Sequence, residues 1–138
     1  MLLIRNNAVL TTPLAMTATA TRIPFDTVVL NTNGNLALDD SQVLEKKPGL
    51  YESICQVTVA NASSSAAATV TLQAYADGNP IPGATATASV AASSSAVIAL
   101  PWAEKVVAAE NGVARIAWYL SGGAVNLANA VASVKRII

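Results

Sequence analysis

Carboxylates are the side chains of this sequence best suited to acid–base work, and there are only eight: Asp26, Asp39, Asp40, Glu45, Glu52, Asp77, Glu104 and Glu110. Asp39 and Asp40 alone are adjacent, and neighbours in a strand point to opposite faces. A paired acid/base system would therefore need distant residues, such as Asp26 with Asp39 and Asp40, to meet in the fold. Calcium held by Asp39 or Asp40 with backbone carbonyls is the other use of the same oxygens.

Histidine is absent. With it go the commonest general base, the Ser-His and Cys-His nucleophile pairs, and the commonest zinc ligand. No Ser-x-x-Lys spacing occurs, and Ser63-Ser64-Ser65 and Ser93-Ser94-Ser95 have no charged neighbour to activate them. Gly122-Gly123 is followed by neither a GxGxxG pattern nor a phosphate-binding lysine. These absences predict no catalytic residue, no metal and no cofactor. Cys55 is the only cysteine, so no intramolecular disulfide can form, and its place in an apolar alternation predicts a buried thiol.

The charges exclude another class of partner. Eight basic residues balance eight acidic ones, and the basic side chains adjoin only at Lys46-Lys47 and Lys135-Arg136. No stripe of cations is available to track phosphates, so nucleic acid is not an expected partner. At 53% hydrophobic and 12% charged residues, the chain has about half the usual share of charge. It should fold, and subunit contact is a natural destination for the surplus apolar surface.

The elements read as short strands between turns. Val, Ile and Thr fill the segments, while Asn31–Asn35, Lys46–Gly49, Asp77–Pro80, Asn111-Gly112 and Ser121–Gly123 carry turn residues. Tyr51, Ser53, Cys55, Val57 and Val59 share one face of a strand whose other face carries Glu52, Ile54, Gln56 and Thr58. Val70, Leu72, Ala74 and Ala76 form a second apolar face; Ala114, Ile116, Trp118 and Leu120 form a third. The last strand, Val125 to Ile138, is apolar on both faces for much of its length, as suits a central strand. The Ala-rich stretches 62–68 and 84–99 lack the charged face of an exposed helix and are read as strands and loops. A helical turn is conceded only around Ala103 to Ala109.

Ile116 to Val134 is uncharged, but Ser121, Asn126, Asn129 and Ser133 would leave polar groups in hydrocarbon, so two strands are expected rather than a membrane helix. Met1-Leu2-Leu3-Ile4 is too short for the apolar core of a secretory leader. Residues 1–14 show no matching alternation and are expected to be an N-terminal arm or leader, with one domain over 15–138.

Pro48-Gly49-Leu50-Tyr51, followed by Gln56-Val57, resembles the jelly rolls of the tumour-necrosis-factor and complement-globular-head family. There a Gly-x-Tyr opens a central strand with one face in the sandwich and the other toward a trimer axis. Ile23-Pro24-Phe25-Asp26, with Asn31 and Gly34, resembles the first strands. Asp77-Gly78-Asn79-Pro80-Ile81-Pro82-Gly83 is similar to a hairpin of bacterial and phage members, and Asn129 to Ile137 to their last strand. The resemblance spans about Ile23 to Ile138 and implies an all-β, single-domain antiparallel β-sandwich that forms a homotrimer. It places Ile54 and Gln56 at the trimer interface, with Tyr75 and Tyr119 as further interface candidates, and Tyr51, Cys55, Val57 and Trp118 in the core. The chain departs from the animal members in having few aromatics.

Two functions of different class follow as expectations. One is a structural virion protein of a tailed bacteriophage: a trimeric capsid decoration, head fibre or fibre-tip module assembled with other virion proteins in the host cytoplasm. The other is a bacterial surface or phage adhesin that binds a host surface glycan or receptor, for which Trp102, Trp118 and Tyr119 are the available aromatic platforms. A carboxylate hydrolase is the third and least supported reading.

Overall fold

Period-two alternation becomes strands nearly throughout the protein. Its structure, a computed structural model, describes residues 1–107 and 113–138. In chain order the elements are β1 (Leu2–Arg5), α1 (Ala8–Thr11), β2 (Leu14–Ala15), β3 (Thr21–Arg22), β4 (Thr27–Asn31), β5 (Leu36–Asp39) and β6 (Gln42–Glu45). There follow β7 (Gly49–Ala60), β8 (Ala68–Ala76), β9 (Asn79–Val90), β10 (Ser95–Val106), β11 (Ala114–Ser121) and β12 (Asn126–Arg136). The expected turn at Asn111-Gly112 lies outside the described residues.

Two antiparallel sheets make a jelly-roll sandwich. The first runs β10-β7-β12-β1-β4, with β2 also paired to β12; the second runs β5-β6-β11-β8-β9, with β3 also paired to β11. β12 lies between β7 and β1, the central position expected for it, with Cys55 opposite Ala132 and Ala132 opposite Ile4. Its second face is only half-covered, because that face looks away from the other sheet. Tyr51, Cys55, Val57 and Trp118 are fully buried between the sheets. Phe25 meets Trp118 edge-to-face, with ring centroids 5.8 Å apart.

Residues 1–14, expected to stand apart, are built into the sandwich. β1 is hydrogen-bonded on both sides, to β12 and β4, and Leu2 and Ile4 enter the core. Val9 of α1 is buried as well. A four-residue strand spans too few alternations to show its period in sequence, and only its two neighbours reveal it. The segment around Ala103, conceded to a helical turn, continues β10 as far as Val106.

Turn chemistry sets the hairpins. Asp77 and Gly78, both at positive φ, join β8 directly to β9, as a two-residue hairpin of right-twisted strands requires. Asp40 and Ser41 do the same between β5 and β6, a turn not singled out in the sequence. Ser121–Gly123 carries the chain from one sheet to the other, and a Cβ on Gly122 would collide with the Thr69 carbonyl. Ile116 to Val134 is thus divided between β11 and β12, in opposite sheets. Among the described residues no helix is long and apolar enough to cross a membrane.

Candidate functional site: the outer face of the first sheet

Strand register assembles this surface from four segments. β7 turns Tyr51, Ser53, Cys55, Val57 and Val59 inward, which leaves Glu52, Ile54, Gln56 and Thr58 outward. Ile54 pairs with Pro101 of β10 on one side and Ser133 of β12 on the other, and Ser133 pairs with Leu3 of β1. The next outward row is Ala99, Gln56, Val131 and Arg5, and the next contains Val97, Thr58 and Asn129. Ile54 and Val97 are 49% and 60% exposed. Nothing in the described chain covers this face.

Two clefts flank Ile54. The larger, about 500 Å³, is lined by Glu52, Ile54, Pro101 and Ala103 with Ser53 and Trp102; the smaller, about 180 Å³, lies toward Met1, Ser133 and Lys135. Beside the clefts Lys135 and Glu52 form an exposed ion pair of 3.5 Å, and Arg5 adds a cation at the β1 edge of the face. Such a rim pair sets orientation more than affinity.

The interface candidates divide between opposite sides of the molecule. Ile54 and Gln56 share the face just described. Tyr75 of β8 and Tyr119 of β11 project from the outer face of the second sheet, their rings 4.1 Å apart above buried Ala117. The physical reason is sheet membership: alternation turns all four outward, but β7 belongs to one sheet and β8 and β11 to the other. The aromatic platforms are separated too, since Trp118 is in the core and Trp102 is half-buried at the sandwich edge, its ring over Gly83.

The groups singled out for chemistry are used structurally. Asp26 accepts the backbone N–H groups of Asn7 (2.8 Å) and Ala8 (3.2 Å) at the start of α1. Burial pushes its carboxyl up, but these bonds and the Thr27 hydroxyl outweigh that and hold it below the usual carboxylate range. Asp39 pairs with Arg115 at 3.4 Å and Asp40 with Arg22 at 3.6 Å. The three aspartates therefore serve separate partners. Among the described residues no group of three or more His, Cys, Asp or Glu side chains is placed to hold a metal. Ser63 accepts the N–H groups of Ser65 and Ala66, which makes its cluster a turn. Complete burial pushes the Cys55 thiol up, so it stays protonated and inert.

One residue escaped the sequence reading. Glu45 continues the inward row of β6 after Val43 and is fully buried. β6 has only four residues, too few for the alternation that turns residue 45 inward to stand out in sequence.

Comparison with known proteins bears on the fold. No protein-family description and no curated protein sequence matches the chain. Among solved structures, the globular domain of zebrafish complement 1qA protein superposes with a TM-score of 0.66 at 12% identity, covering 99% of this chain and 96% of that one. Murine APRIL, in crystal structures at pH 5.0 and pH 8.5, superposes with a TM-score of 0.61 in each case. The identities are 12% and 11%, and 97% of this chain covers 98% of the other. The sandwich architecture expected from the family resemblance is the one the chain adopts.

Proposed function

We propose that this chain is a non-enzymatic structural module that assembles as a homotrimer through the outer face of its first sheet, in the virion of a tailed bacteriophage. The observation that carries the assembly is the uncovered apolar surface around Ile54 and Val97, framed by Ala99, Pro101 and Val131. Contiguous exposed apolar surface of this kind marks an interaction site, and closed cyclic symmetry hides it without forming fibres. The family resemblance supplies the threefold, since it turns the Ile54 and Gln56 face toward a trimer axis.

The virion setting rests on the sequence: the similarity of Asp77–Gly83 and Asn129–Ile137 to bacterial and phage members, and an Ala-, Ser- and Thr-rich chain without histidine. A capsid decoration, head fibre or fibre tip fits a module with no reaction to perform. Light scattering coupled to size exclusion tests the assembly, and a stable monomer at micromolar concentration would end it. Mass spectrometry of purified virions tests the setting; absence of the chain from the particle rules it out.

A second reading, an adhesin that grips a host glycan or receptor, is favoured by the half-exposed Tyr75–Tyr119 pair on the far side from the proposed interface. Glycan-array binding that disappears in Tyr119→Ala would establish it.

A further inference from the structure

We propose that Glu45 and Glu104 form a carboxylic acid–carboxylate pair that shares one proton across the seam between the two sheets, and that loss of this proton loosens that end of the sandwich. Glu45 is 0% exposed. Its backbone lies between Leu36 of β5 and Ala114 of β11, and neither carboxyl oxygen has a hydrogen-bond donor among the described residues. An ionised carboxylate in that position would be desolvated and uncompensated. The group that faces it is a second carboxyl: Glu104, on the inward row of β10 in the opposite sheet, lines a cleft with Ala114, the cross-strand neighbour of Glu45, and adds like charge to it. Two carboxylates repel; a carboxylic acid and a carboxylate form a strong, short hydrogen bond.

The half-buried member carries the remaining charge. Glu104 lines a cleft of about 160 Å³ with Asp77, Lys105, Val106, Ala114 and Ile116, so a charge on it reaches solvent and the one cation of the cleft among the described residues. Glu45 does not, and is the donor. The other groups around Glu45 offer no relief. Asp77, from the β8–β9 turn, adds like charge. Tyr51 of β7 gives its hydroxyl to the Lys47 carbonyl, and Arg136 of β12 is engaged with the Pro48 carbonyl. β5 and β11 present Leu36 and Ala114. Among the described residues no third His, Cys, Asp or Glu side chain joins the pair as a cation ligand, and a proton is the partner we assign.

Burial first, then the hydrogen bond to Glu104 and the charges of Glu104 and Asp77, push Glu45 up to about 10. Burial pushes Glu104 up as well, and the two titrate as a unit. In the unfolded chain both ionise near the ordinary 4.5. Between that value and about 10 the folded chain holds the extra proton, so stability falls as pH rises through this window.

Thermal unfolding between about pH 6 and pH 9 tests the pair, with infrared spectroscopy as a second measurement that needs no variant. The wild-type midpoint should fall by roughly 5 °C or more over that range. In Glu45→Gln, whose amide donates to Glu104 with no proton to lose, the fall should flatten and the midpoint at the alkaline end should rise. A protonated-carboxyl band should persist in the wild type at neutral pH and be missing from Glu45→Gln. Equal pH slopes in the two proteins, or no such band in the wild type, would overturn the proposal. So would a rise in wild-type midpoint on adding calcium chloride that Glu45→Gln lacks, which would make the pair a cation site.

Discussion

On the first sheet the residues turned away from the core include Ile54, Gln56, Val97, Ala99, Pro101 and Val131; on the second they include Thr71, Gln73, Tyr75, Thr87, Arg115 and Tyr119. The inward residues of the two sheets are alike. The second sheet satisfies its outer side chains with each other: Thr71 meets Thr87 at 3.1 Å, Arg115 meets Asp39, and the two tyrosine rings pack at a 37° tilt. The first sheet leaves branched aliphatic groups facing water. A face completed by its own polar contacts is a finished surface, whereas a face of apolar side chains between grooves needs a second molecule to finish it.

The largest effect should separate the faces outright. Ile54→Asp puts charge at the centre of the first face and should reduce the proposed trimer to a single chain of 14.0 kDa, read by light scattering. Tyr119→Asp on the second face should leave the mass unchanged, and the reverse pattern would show that the faces have been assigned the wrong way round. A smaller effect is expected from Tyr75→Ala, which removes one ring of the tilted pair. It should cost about 0.5–1.5 kcal/mol beyond the lost area, seen as a lower urea midpoint with assembly intact. Smallest is Asp39→Ala, which breaks an exposed ion pair with Arg115. No more than about 1 kcal/mol is expected there, shrinking further in high salt. A larger loss would mean that the second face is held by its charges.

Much of this contrast can be read from residues 51–59, where nine alternating positions assign each side chain to a face. Shorter elements hide their period: β1 and β6 have four residues each, so neither the buried pair Leu2 and Ile4 nor buried Glu45 stood out. Glu45 is also a residue type whose usual place is the surface, and its chemistry depends on Glu104, far away in sequence. In sequence Asp40 stands out only as a carboxylate; with Ser41 it forms a turn because β5 and β6 pair around them.

By itself the sequence determines the class of fold, the inward face of each long strand and the lack of histidine chemistry, since these follow from local alternation, turn residues and composition. Only the tertiary structure decides which sheet each strand joins. That choice puts Ile54 and Tyr119, both outward by alternation, on opposite sides of the molecule, and brings Glu45 against Glu104. The reason is that side-chain period is a property of a few consecutive residues, while sheet order comes from pairings such as Leu2 with Val134 that join the two ends of the chain.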